Sequence, residues 1–233
     1  MSVDKHKERL FVLFQEKRIS QTELQVLLDS IDTKNSFFYK TYLFLINPFQ
    51  KIAGFQALCL GIIILILMAY FGTKADIHYP NSINFGSTIA LNRKLNFIET
   101  LCEQLILCSL LALFFYLFSF VYQKGKVRFI DFLGTIYFAR FPFLITTLYF
   151  LILRHLCPSI LLVTSVSAWQ YVMELFLYVG FTWQITTYFF AFKESSGLKD
   201  TRLWSGFIAC IILEIFISGV IIQNMYGLHR VKL

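Results

Sequence analysis

Arg140, Gln184 and Glu214 stand out chemically because each interrupts a long apolar run. Ionisable groups inside a bilayer cost several kcal/mol, by about 2.5–3.5 on insertion scales, and so mark internal pairs, proton relays or substrate paths. At a rise of about 1.5 Å per residue, Arg140 lies roughly 13 Å, Gln184 roughly 12 Å and Glu214 roughly 15 Å from one membrane face. The matched depths predict an Arg140–Glu214 pair near mid-membrane, with a structural role first: neutralising two charges and fixing helix register. The functional alternative is a substrate or proton relay. Pro142 follows closely and frees a backbone carbonyl that neighbours or water must satisfy.

A second polar group comprises Glu99 and Glu103 at the start of the second run, Glu174 early in the fourth and Gln223 late in the fifth. Their shallow depth predicts a solvated outer-face acidic rim, with an external cation or peptide site as the alternative. No metal or cofactor is expected. His6, His78, His155 and His229 are scattered, and the five cysteines, an odd number, lack CxxC spacing. Nor is there a P-loop, GxSxG, HExxH or Gly-rich filter segment. No catalytic residue is assigned, and an intramembrane enzyme is the remotest reading.

The runs that carry these residues are 53–72, 99–122, 131–153, 168–192 and 204–224. Roughly 20 apolar residues cover a hydrocarbon core of about 30 Å. Lipid offers no hydrogen-bond partners, so such runs must be helical. The expected fold is all-α: a polytopic membrane protein with five transmembrane helices and a short N-terminal helical hairpin. Composition agrees, at 57% hydrophobic and 15% charged residues, against about a quarter charged in soluble domains.

The formal net charge of +7 does not form a nucleic-acid stripe. With the N-terminus inside, segments 1–53, 123–130 and 192–203 carry fourteen Lys and Arg, against six in 73–98, 154–167 and 225–233. The positive-inside rule therefore predicts an N-in, C-out chain, in the cytoplasmic (inner) membrane if the source is prokaryotic. The charged first 36 residues lack a secretory-signal pattern, so the first span is read as a retained signal anchor.

Residues 1–35 read as a cytoplasmic helical hairpin, with a Ser20–Glu23 capping box between its arms. Residues 36–52 read as an aromatic, lysine-bearing interfacial segment that Pro48 ends or kinks. A five-span domain follows over 53–225, then an external tail, 226–233. The loop 73–98 should form an ordered cap, and 156–167 a re-entrant or interfacial stretch. Ala53, Ala57 and Gly61 form a small-residue stripe suited to close internal packing. No internal repeat is apparent, which counts against inverted-repeat transporters.

Three segments then carry a likeness. They are Asn47-Pro48-Phe49 before the first span; Lys124 to Phe129 leading into Asp131-Phe132-Leu133-Gly134 and Ala139-Arg140-Phe141-Pro142; and the last two spans with Trp183-Gln184 and the loop Ser195 to Arg202. Over about residues 45–225 the chain resembles the Yip family (Ypt-interacting proteins), especially its prokaryotic members. The resemblance implies a five-span membrane protein without catalytic chemistry. Eukaryotic relatives are associated with small prenylated GTPases. Here the acidic DLxGP-type segment is absent and Tyr137 lacks the usual preceding glycine, so a GTPase partner is not carried over.

The expected function is a non-enzymatic adaptor or membrane organiser. Its partners are the lipid bilayer and a protein bound at the N-terminal cytoplasmic region, with self-association left open. The alternative is a small-solute or ion transporter or channel component built on Arg140, Gln184 and Glu214.

Overall fold

A computed structural model describes residues 44–82, 86–87, 94–123, 127–156 and 168–226, and positions 10, 12–14, 16, 20, 23, 24, 26–28 and 41. Its contacts divide the chain into two compact units, Met1–Pro48 and Phe49–Leu233.

In the first unit, most of the expected hairpin and interfacial segment lies outside the described residues. The capping box is present. The Ser20 N–H donates to Glu23 Oε2 at 2.8 Å, and the Glu23 N–H donates to Ser20 Oγ at 3.3 Å. The donated backbone hydrogen bond from Ser20 holds the Glu23 carboxyl below the usual carboxylate range. The box's contribution is therefore present above that range and lost as pH falls through the lowered value. Phe44 to Ile46 are helical and Asn47 is not, as expected before Pro48.

Among its described residues, the second unit is all-α apart from one two-residue strand pair. Its helices are α1 (Gly54–Ala75), α2 (Phe97–Gln123), α3 (Phe129–Phe138), α4 (Phe141–Leu156), α5 (Ala168–Ser196) and α6 (Asp200–Tyr226). Among the described residues, five stretches are long and apolar enough to cross a membrane: Gly54–Ala75, Phe97–Gln123, Phe129–Leu153, Leu175–Ser196 and Asp200–Met225. They answer one-to-one to the five apolar runs. Phe55, Val121 and Phe216 are each at least 70% exposed, whereas Arg140, Glu103, Gln104, Gln184 and Glu214 have no exposure at all. Apolar outside and polar inside is what a hydrocarbon solvent selects.

The third span is not one helix. It breaks at Ala139 and Arg140, where the Arg140 N–H reaches only Tyr137 O at 3.3 Å. Pro142 explains the break, since it cannot donate a backbone bond across the junction. α1 and α3 approach each other backbone against backbone. A β-carbon on Gly134 would stand 2.7 Å from Gly54 O and 2.8 Å from Leu58 N. One on Gly61 would stand 2.5 Å from Tyr137 Cβ. Ala57, fully buried, and Gly61 thus serve internal packing, as the small-residue stripe suggested.

α1 ends at Asp76, in the left-handed region at φ 54°, whose N–H donates to Gly72 O. The chain then reverses through β1 (Ile77–His78) and β2 (Gly86–Ser87), paired antiparallel with Ile77 opposite Ser87. That pairing closes a short loop carrying Tyr79 and Ser82, both fully buried. The 73–98 connection does more than cap the helices: Tyr79 and Ser82 enter the bundle.

Candidate functional site: a loop serine between two buried charges

Ser82 is the hub. Its N–H and Oγ–H donate to Glu214 Oε1 of α6, at 3.0 and 2.7 Å. Its carbonyl accepts from Arg140 Nη1 at 2.6 Å and from the Tyr188 hydroxyl of α5 at 3.1 Å. Arg140 and Glu214 thus share one layer but form no direct ion pair within 4.0 Å. The Ser82 backbone intervenes, its N–H facing the carboxylate and its C=O facing the guanidinium. Such hydrogen bonds to ionised groups are roughly twice as strong as neutral ones, and a buried chain of them is cooperative.

The helix break positions Arg140. Its guanidinium carbon lies 5.4 Å from the ring centroids of both Tyr79 and Phe143, where aromatic faces stabilise a desolvated cation. Tyr79 is held in turn by Thr147, with 2.9 Å between the two hydroxyl oxygens. Burial pushes the Tyr79 phenol up to about 12, so it keeps its proton. The Cys108 thiol of α2, also fully buried, lies beside Arg140 and Tyr188.

Gln184 meets the third span at its break. Its Nε2 donates to Ala139 O at 2.8 Å, satisfying a carbonyl at the break. It supports the residue before Arg140 and does not bond to Glu214.

The acidic rim divides. Glu103 is fully buried: Oε2 accepts the Tyr79 N–H at 3.1 Å, and Oε1 lies 3.5 Å from His78 Nδ1. A solvated rim does not describe it, because the inserted loop covers a depth that water would otherwise reach. Glu99 closes a capping box with Asn96 at the start of α2, with both bonds at 2.9 Å. Gln223 is exposed, and the Glu174 side chain lies outside the described residues.

Several polar atoms in the bundle have no hydrogen-bond partner among the described residues. They are Arg140 Nε and Nη2, Glu214 Oε2, Gln184 Oε1 and both amide atoms of Gln104. An unsatisfied buried group costs about 1–3 kcal/mol. The free Arg140 atoms form the side-on edge that grips oxyanions or water in bidentate fashion. Together the orphans offer both donors and acceptors, the mixture that ordered water or a small polar solute satisfies. No group of three His, Cys, Asp or Glu suited to a metal occurs among the described residues.

Ser82, Tyr79, Tyr188, Gln104 and Cys108 were not singled out from sequence. Tyr188 follows Gln184 by one helical turn, and Gln104 precedes Cys108 by one, so periodicity could have raised Tyr188, Gln104 and Cys108. A serine in an irregular loop gives no such signal. Compared with protein-family models, curated proteins and solved structures, the chain matches none of them.

Proposed function

We propose that this protein is a non-enzymatic, Yip-like membrane scaffold, inserted with its N-terminus in the cytoplasm, whose amino-terminal unit recruits a protein partner. The observation that carries the reading is the division of labour along the chain. Phe49–Leu233 contains all five apolar stretches, while Met1–Pro48 is a separate compact unit rich in charge. Within the bundle, Arg140 donates to Ser82 and Glu214 accepts from it, both within their own chain, as in a structural lock.

The test is deletion of residues 1–48, with crosslinking in native membranes before purification. The expected result is loss of the crosslinked partner while the remaining chain stays monodisperse and keeps its melting temperature. A partner captured equally well by the shortened chain would overturn the adaptor reading.

One observation favours a second reading, passage of a small solute or ion. The unpartnered edge of Arg140 and the free oxygen of Glu214 lie in a bundle whose third span is broken. Broken helices near the midplane are where transporters bind their cargo. Cys108 reports on this directly. In a chain with the other four cysteines replaced, the scaffold reading expects Cys108 to resist small cationic thiol reagents in native membranes. Rapid labelling, slowed by a solute, would favour transport instead.

A further inference from the structure

We propose that the groove between the carboxyl ends of α1 and α4 is a binding site for an anionic phospholipid. The groove has a volume of about 540 Å³ and is lined by Tyr70, Phe71 and Lys74 of α1 with Leu151, Ile152 and His155 of α4. Its walls are largely aromatic and aliphatic, and Tyr70 and Ile152 are each more than half exposed. They face the side from which hydrocarbon reaches this bundle.

The two nitrogen-bearing side chains, Lys74 and His155, stand in the last turns of their helices, at the level where an apolar span meets headgroups. Lys74 Nζ lies 6.0 Å from the Tyr70 ring centroid, so the ammonium is drawn toward the groove rather than away from it. A lipid phosphate placed between Lys74 and His155 would let glycerol and acyl chains run down the apolar wall. Helix carboxyl ends carry partial negative charge, so the anion's attraction comes from these side chains. A cation near an anionic bilayer surface contributes about fivefold in binding per residue.

The test uses the full-length protein in mild detergent, offered phosphatidylglycerol and phosphatidylcholine with identical acyl chains, with retained lipid counted by native mass spectrometry. The expected result is phosphatidylglycerol retained at least about fivefold over phosphatidylcholine. Lys74→Gln with His155→Gln should remove that preference, while Lys199→Gln, away from the groove, should leave it. A photoactivatable phosphatidylglycerol should label segments 70–74 and 151–155. Equal retention of the two lipids, a preference that survives the double substitution, or labelling confined to other segments would each overturn the proposal. So would displacement by millimolar inorganic phosphate, which would make this a free-phosphate site. None of these outcomes depends on a partner of the amino-terminal unit, so this inference and the adaptor reading fail separately.

Discussion

Arg140→Met should destabilise the purified protein by about 3–5 kcal/mol, because it leaves a carboxylate buried without its compensating cation. Glu214→Leu should cost a similar amount for the converse reason. Made together, the two should cost less than the sum, with a coupling of at least about 1 kcal/mol. Both charges act on the same residue, Glu214 through the N–H and Oγ of Ser82 and Arg140 through its carbonyl. Unfolding of the four proteins by denaturant in the same bicelles measures the cycle. Arg140→Lys should not restore stability, since an ammonium lacks the planar group set against Tyr79 and Phe143. Strictly additive costs would show that the two charges do not communicate.

The second large effect is steric. Gly134→Ala places a methyl group 2.7 Å from a carbonyl oxygen and 2.8 Å from an amide nitrogen of α1. Backbone cannot rotate out of the way as a side chain does, so the helices must part. Overpacking of this kind costs about 1–3 kcal/mol, and larger residues cost more. Gly61→Ala should act alike, against Tyr137 Cβ at 2.5 Å and Phe138 N at 2.7 Å. Because one separation of α1 from α3 relieves both clashes, the double variant should cost less than the sum. Gly219→Ala is the control: nothing lies within 4 Å of its new β-carbon. There the substitution should be neutral or stabilising by up to about 1 kcal/mol through helix propensity. Melting temperatures in detergent, read alongside monodispersity, distinguish the three sites.

These expectations rest unequally on sequence and on structure. The five spans were legible because apolar length is a one-dimensional property of the chain. So was the shared depth of Arg140 and Glu214, since all helices rise at the same rate. Pro142 announced a disturbance of the third span, and the structure puts the break just before it. The spacing of Ala57 and Gly61 announced a close contact, though not that Gly134 would complete it from α3.

What could not be read was the loop. Depth counted from a span's end assumes that water reaches the shallow turns. Here Tyr79 covers Glu103 and so falsifies the assumption for that residue. The same insertion turns an expected ion pair into a bridge. Ser82 carries no charge, no periodicity and no motif. Its importance arises from its place after the paired Ile77 and His78, in a stretch where Tyr79 and Ser82 are fully buried.

Ser82 sits inside the bundle between Arg140 and Glu214. Cysteine labelling in intact membranes and in inverted vesicles tests it most directly, in a chain without its native cysteines. Ser82→Cys, nearly isosteric, is compared with Lys94→Cys in the same connection, where the native side chain is 83% exposed. Both positions lie between α1 and α2, so they face the same reagent whichever way the chain is inserted. Lys94→Cys should react with a membrane-impermeant maleimide on one side, while Ser82→Cys should stay unlabelled until the protein is denatured. Labelling of Ser82→Cys at the rate of Lys94→Cys, in a chain of unchanged melting temperature, would contradict it.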